Sequence, residues 1–187
     1  MSRLRIQQRT RIFLGCEGQS EQSYGARLSQ IAEAAGLHVY IDNDVLQPGA
    51  GDPLALVQMA VRRIAEKERR RGVFSLRAVL LDRDKWGQAP DRDSQTAPLA
   101  ARNHLSLIWQ IPCHEGFLLR HLEGQETSHP ASGDLALQAL KRVWPEYSKA
   151  MPAIQLATRI DLAAVRRACT VEPTLASFLI QIGLLPA

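Results

Sequence analysis

Arg77-Ala78-Val79-Leu80-Leu81-Asp82 is the stretch that decides the fold. Its apolar run is β-rich, far shorter than a stable helix, and closed by an acid, which reads as a short buried strand. Residues 11–16 (Arg-Ile-Phe-Leu-Gly-Cys), 38–41 (His-Val-Tyr-Ile) and 104–111 (His-Leu-Ser-Leu-Ile-Trp-Gln-Ile) have the same character. Between the first two lies a helix over 21–35, with Tyr24, Leu28, Ile31 and Ala35 at helical spacing. Ser20 reads as its N-cap and Gly36 as its end.

A loop over 42–51 holds Pro48, Gly49 and Gly51. Asp52-Pro53 then opens a strong helix, a cap followed by proline at the first position. Leu54, Val57, Val61 and Ile64 form its buried stripe. Residues 85–98 are polar, part helical and part mobile. Pro112 ends the 104–111 strand and opens a helix over 114–122. Beyond Gly124 the periodicity predicts helices over 135–143, 161–168 and 174–183. Strands alternate with helices up to about residue 122, which predicts an α/β fold with a parallel sheet. We expect one domain over 1–187, with an α/β core over 1–124 and a helical part over 125–187 packed on it.

Hydrophobic residues make up 45% of the 187 and charged residues 22%, so collagen, rods and wholesale disorder are excluded. No apolar run approaches the roughly 20 residues of a membrane span. Three widely spaced cysteines point to a reducing compartment, the cytoplasm, and away from a disulfide framework. The net charge of +4 is a weak sign of a polyanionic partner. Its distribution says more, because Arg62, Arg63, Lys67, Arg69, Arg70 and Arg71 crowd one ten-residue stretch. They are either a solvated helix end or a contact for a phosphate backbone. Arg83 and Lys85, beside the acids described next, are further candidates for that contact.

Open parallel sheets place their sites at the carboxyl ends of strands. Glu17 follows the first strand, Asp82 and Asp84 follow the 77–82 strand, and Glu115 begins the helix after the 104–111 strand. Residues two apart on an extended segment share a face, so Asp82 and Asp84 are expected to point together. Two charges 4 Å apart repel by about 4 kcal/mol at an effective dielectric of 20. Converging carboxylates therefore need a raised pKa, a basic partner or a divalent cation. Mg²⁺ suits such oxygens, and beside a basic surface it suggests phosphodiester or phosphoryl chemistry. The second Asp91-Arg92-Asp93 follows no strand and reads as loop or N-cap. Cys16, Cys113, His114 and His121 lack paired zinc spacing and read as buried packing. A Cys113 nucleophile beside His114 would need a lowered pKa. His121 is a candidate for a core or site-lining histidine or a general base. Trp86 stands beside the acidic pair and is the one tryptophan placed to stack a base. The chain holds no Gly-x-x-x-x-Gly-Lys-Ser/Thr, so it carries no P-loop of its own.

Three ordered blocks resemble the RloB-like family. Phe13-Leu14-Gly15-Cys16-Glu17-Gly18, followed by Ser20-Glu21 and Tyr24, resembles its strand into Cys-Glu-Gly, Thr-Glu and an aromatic. Asp82-Arg83-Asp84-Lys85-Trp86 resembles its Asp-Arg-Asp and aromatic. Ile111-Pro112-Cys113-His114-Glu115-Gly116-Phe117, continuing to His121, resembles its Asn-Pro-Cys-Phe-Glu-x-Trp-x-x-x-His, with Ile111, His114 and Phe117 departing from it. Tyr147-Ser148-Lys149 and Pro173-Thr174 match late family positions. The resemblance implies a TOPRIM-like sheet between helices, with Glu17, Asp82 and Asp84 as metal-dependent catalytic groups holding Mg²⁺ or Mn²⁺. It makes Glu21 and Glu115 further catalytic acids. It also implies anti-phage abortive infection or restriction-linked defence together with a P-loop ATPase encoded nearby.

Two functions follow from different classes. One is a metal-dependent nuclease acting on DNA or RNA as a defence effector; the other is a non-catalytic adaptor that docks on an ATPase. A homo-oligomer is compatible with either, and a membrane partner with neither.

Overall fold

All strands run the same way. In the computed structural model, which describes residues 8–46 and 52–186, β1 (Thr10–Cys16), β2 (Val39–Val45), β3 (Leu76–Asp82) and β4 (Ser106–Gln110) form one parallel sheet in the order β2-β1-β3-β4. Three helices make the crossovers: α1 (Gln19–Ala34), α2 (Pro53–Arg71) and α3 (Pro90–Arg102). Five more follow: α4 (His114–Leu119), α5 (Gly133–Val143), α6 (Ala153–Leu156), α7 (Leu162–Cys169) and α8 (Pro173–Gln181). The α/β parallel-sheet expectation holds.

Strand alternation sorts the core into two layers. Ile12, Leu14 and Cys16 of β1, Ala78 and Leu80 of β3, and Ile108 of β4 pack with Tyr24, Leu28 and Ile31 of α1 and with Phe117, Leu118 and Leu119 of α4. Leu140, Trp144, Leu156, Val165, Leu175 and Phe178 join the same layer, so the helical part shares its core with this face of the sheet. Phe13, Val79 and Leu81 point the other way, onto Leu56, Val57, Ala60 and Ile64 of α2 and Ala100 of α3. The chain steps from β1 to β2 in one direction and from β2 to β3 to β4 in the other. Right-handed crossovers then require α1 on one face and α2 and α3 on the opposite face, as found.

Local chemistry moves several expected boundaries. Gly18, not Ser20, is the N-cap of α1, and its N–H donates to Glu21 Oε2 at 3.0 Å. Ser20 lies inside the helix and accepts the Ala150 N–H at 2.9 Å. Residues 42–45 belong to β2 rather than to a loop, because they pair with 13–16 of β1, and Asp42 and Asp44 both reach Lys67 Nζ. The rest of that loop, 47–51, lies outside the described residues. Asp52 caps α2 as expected, accepting from Ala55 N at 2.8 Å. The second acidic pair sits in the first turn of α3, not in a loop: Asp93 accepts the Gly87 N–H at 2.7 Å, and Pro98 is inside the helix. Past Leu119, α4 gives way to i→i−3 turns. There Arg120 turns inward to Glu172, Ser128 O and Ile111 O. The four residues of α6 are too few to show a period.

Among the described residues no helix is long and apolar enough to cross a membrane. α4 sits unusually close to the segment that precedes it. A Cβ on Gly116 would lie 2.8 Å from Ile111 O and 2.7 Å from Pro112 Cδ. Neither atom ends a flexible side chain. Gly116→Ala should therefore destabilise the protein by about 1–3 kcal/mol, the cost of overpacking. That exceeds the roughly 0.5–1 kcal/mol that alanine returns in a helix. At about 2–4 °C per kcal/mol for this size, the change is readable as a lower Tm.

Candidate functional site

The crossover reversal makes the site. At their carboxyl ends β1 and β3 are neighbours, but the chain leaves β1 for one face and β3 for the other, the switch point at which open parallel sheets place their sites. Glu17 is the first residue after β1, and Asp82 is the last of β3. Leu14 pairs with Ala78 and Gly15 with Val79, a register that carries Glu17 level with Leu81, next to Asp82. By alternation Asp82 shares its face with Ala78 and Leu80, the face on which α1 and α4 pack. Glu21 in the first turn of α1 and Glu115 in the first turn of α4 enter from there, both buried.

These carboxyls perturb one another. Burial, then the charges of Glu21, Glu17, Asp84 and Glu115, raise Asp82 to about 9. Its Oδ1 is buried and has no hydrogen-bond partner. Burial and Glu21 raise Glu17 to about 7, opposed by Lys85, whose Nζ is 3.9 Å from Glu17 Oε1, and by the Asp82 backbone amide. Glu115 is better supplied: the Cys113 thiol donates to Oε2 at 3.3 Å, the Tyr147 hydroxyl donates to Oε1 at 3.4 Å, and Lys149 Nζ lies 3.9 Å from Oε1. The donor set is all hard oxygen, the chemistry that Mg²⁺ or Mn²⁺ takes. Among the described residues no three His, Cys, Asp or Glu side chains are already drawn together closely enough to hold a metal ion. Glu17, Glu21 and Glu115 instead keep their own partners.

The strand geometry expected of Asp82 and Asp84 stops at Asp82. Arg83–Gln88 folds into turns, with Trp86 N bonded to Arg83 O and Gln88 N to Lys85 O, and Asp84 is exposed. Asp84 still acts on both Asp82 and Glu17 through its charge. Trp86 packs edge-on against Trp109, with ring centroids 4.9 Å apart. Arg83 is exposed beside the switch point, and its N–H donates to Gln110 O at 3.0 Å.

A family model described as RloB-like protein matches residues 12–176, most of the chain. The chain belongs to the RloB-like family. Comparison with curated proteins finds no match, and comparison with solved structures finds none.

Within this RloB-like chain, several candidates turn out to be structural. His121 is fully buried: its Nδ1 donates to Phe117 O at 3.0 Å, which leaves Nε2 to accept the Tyr24 hydroxyl at 2.9 Å. Burial drives its pKa down to about 3, so it has neither a free lone pair nor access to serve as a base. Cys16 is buried against Leu14 O with its pKa raised, first by burial. Burial also pushes Cys113 up to about 12, the reverse of what a thiolate nucleophile needs. His114 is buried and desolvation lowers its pKa, with Nδ1 2.8 Å from Gln110 Nε2 and 3.9 Å from Glu21 Oε1.

The basic stretch lies elsewhere. α2 runs from the carboxyl edge, where Asp52 binds Arg92, to the amino edge, where Arg11 donates to the carbonyls of Arg71 and Gly72. Arg62, Arg63, Lys67, Arg69, Arg70 and Arg71 are therefore not brought to the acids; of the basic candidates only Arg83 and Lys85 are. Sequence reasoning from strand ends did not reach Gln110 or the donors to Glu115. Tyr147 and Lys149 were signalled only by their match to late family positions.

The raised acids dictate a pH dependence. Asp82 keeps a proton in the folded chain up to about 9, against an ordinary value of 3.8, so the folded state binds more protons than the unfolded state between these limits. Its contribution is present at low pH and is lost as pH rises through the folded value. In EDTA, Tm should fall from about pH 5 to about pH 9, and Asp82→Asn should flatten that fall and melt a few degrees above wild type at about pH 8.5. Thermal denaturation across this range checks both.

Proposed function

We propose that this RloB-like chain is a metal-dependent nuclease, cleaving phosphodiester bonds of DNA or RNA as the effector of a cytoplasmic anti-phage defence pair whose other member is a P-loop ATPase. The observation that carries this reading is the buried, unpartnered Asp82 Oδ1 among four further carboxyls at the switch point of the sheet. A structural acid would have a donor there. Mg²⁺ or Mn²⁺ held by Glu17, Asp82 and Asp84 would supply an activated water and stabilise charge on the phosphate.

The protein's own groups have separate parts in this reading. Asp82, anchored at the end of the strand, and Asp84, on the exposed turn that follows, would both be ligands to the ion. Glu17, raised to about 7, is a further ligand or the general acid/base. Glu21 and Glu115 line the inner wall, held by Gly18 N–H and by Cys113 and Tyr147 respectively. Arg83 and Lys85 receive the phosphates at the rim. The ATPase supplies the restraint that a nuclease in a host cell needs, so the isolated chain shows little cleavage with Mg²⁺. The TOPRIM-like description of the sheet belongs to this same reading.

Two measurements test it. Mn²⁺ or Mg²⁺ should raise the Tm of the wild type and of Asp91→Asn but not of Asp82→Asn, through ligand linkage. Growth arrest on co-expression with a triggered ATPase encoded nearby should vanish for Glu17→Ala, Asp82→Ala and Asp84→Ala while each variant stays folded. Arrest that persists in all three would reject the nuclease and favour a non-catalytic adaptor on the ATPase.

A further inference from the structure

We propose that the outward face of α2 is a second, metal-independent binding surface for a nucleic-acid phosphate backbone, remote from the carboxylates. Between 62 and 71 the exposed residues are Arg62, Arg63, Ala65, Arg69, Arg70 and Arg71, five arginines and one small side chain. Seven residues apart on a helix of 3.6 residues per turn, Arg62 and Arg69 stack in one stripe, and Arg63 and Arg70 in the next. Glu66 lies between the stripes and is shared by Arg63 at 3.9 Å and Arg70 at 3.2 Å. Lys67 is turned inward and committed to Asp42 and Asp44 at 2.7 and 3.1 Å. Among the described residues no ion pair joins Arg62 or Arg69 to an acid. Arg63, Glu66, Lys67, Arg70 and Arg71 line a cleft of about 280 Å³ along this face.

The position separates this surface from the chemistry. The stretch occupies the second half of α2 and ends at the amino edge of the sheet, where Arg11 meets the carbonyl of Arg71. At about 3.3 Å per residue, β3 sets that edge about 20 Å from Asp82. One phosphate group cannot be held at both places. Ten helical residues span about 14 Å. That matches the axial extent of about four phosphates of one duplex strand, at 3.4 Å of helix axis each. Arginine forks suit phosphate oxygens bidentately. A protein interface would need an apolar centre, and within 62–71 Ala65 is the one uncharged exposed side chain. The face therefore reads backbone charge, not sequence. It stands whether or not the chain is a nuclease.

The test is fluorescence anisotropy in EDTA, which removes any metal-dependent binding, with labelled duplex DNA and labelled single-stranded RNA as probes. Wild-type protein should bind at least one probe, with log K falling against log salt at a slope of about −3 to −4 on duplex. The variant Arg62→Gln/Arg69→Gln/Arg70→Gln should bind at least about tenfold more weakly at low salt and lose about 2–3 from the slope, while its melting curve stays that of the wild type. Arg62→Lys/Arg69→Lys/Arg70→Lys should keep most of the binding and the slope. Wild-type protein that binds neither probe, or a glutamine variant that binds like wild type, overturns the proposal. Binding of labelled poly-glutamate without binding of either nucleic acid overturns it in favour of an acidic protein partner.

Discussion

Repulsion between carboxylates at the carboxyl end of β1 and β3 is the constraint on which the site depends. Burial removes the water that would otherwise screen Asp82, and Glu17, Glu21, Asp84 and Glu115 add like charge around it. The folded chain meets this by keeping protons: Asp82 stays neutral to about 9 and Glu17 is half-protonated near 7. Holding acids in this state works against stability at neutral pH, which a chain tolerates where the acids have a task. A cation that neutralised these carboxyls would take over the part the protons play, because the acids already act on one another through their charges.

The rest of the architecture keeps those acids in place. The reversal of crossover direction puts α1 and α3 on opposite faces, with the ends of β1 and β3 side by side at the switch point. The helical part does more than cover the sheet. Tyr147 and Lys149, between α5 and α6, reach Glu115, while Arg120 fixes the end of α4 to Glu172 and to Ile111 O. Glu115 is thus held from a segment some thirty residues away in sequence. The close seat of Gly116 against Ile111 fixes the same helix from below.

Much of this was legible in the chain because strands and acids were written next to each other. Leu80-Leu81-Asp82 and Leu14-Gly15-Cys16-Glu17 announce both a buried strand and the charge at its end, and parallel topology brings such ends to one edge. The turn at 83–88 was not legible, since Asp-Arg-Asp fits an extended segment as well as a turn. Only the Arg83 N–H bonding to Gln110 O and Pro112 O shows why the strand stops. The basic cluster lies near the Asp82-Arg83-Asp84 motif in sequence but not in space: a nineteen-residue helix carries its last turns to the opposite edge. His121, a candidate base by residue type, lost that role to burial and to Tyr24, neither of which a linear pattern displays.

We propose that protons occupy the carboxyls until a divalent cation replaces them. Calorimetric titration of Mn²⁺ at about pH 7 in two buffers of different ionisation enthalpy measures the protons released per ion bound. The wild type should release about one to two protons per ion, since Asp82 is neutral and Glu17 half-protonated at that pH. Binding with no proton release, or no binding at all, would contradict it.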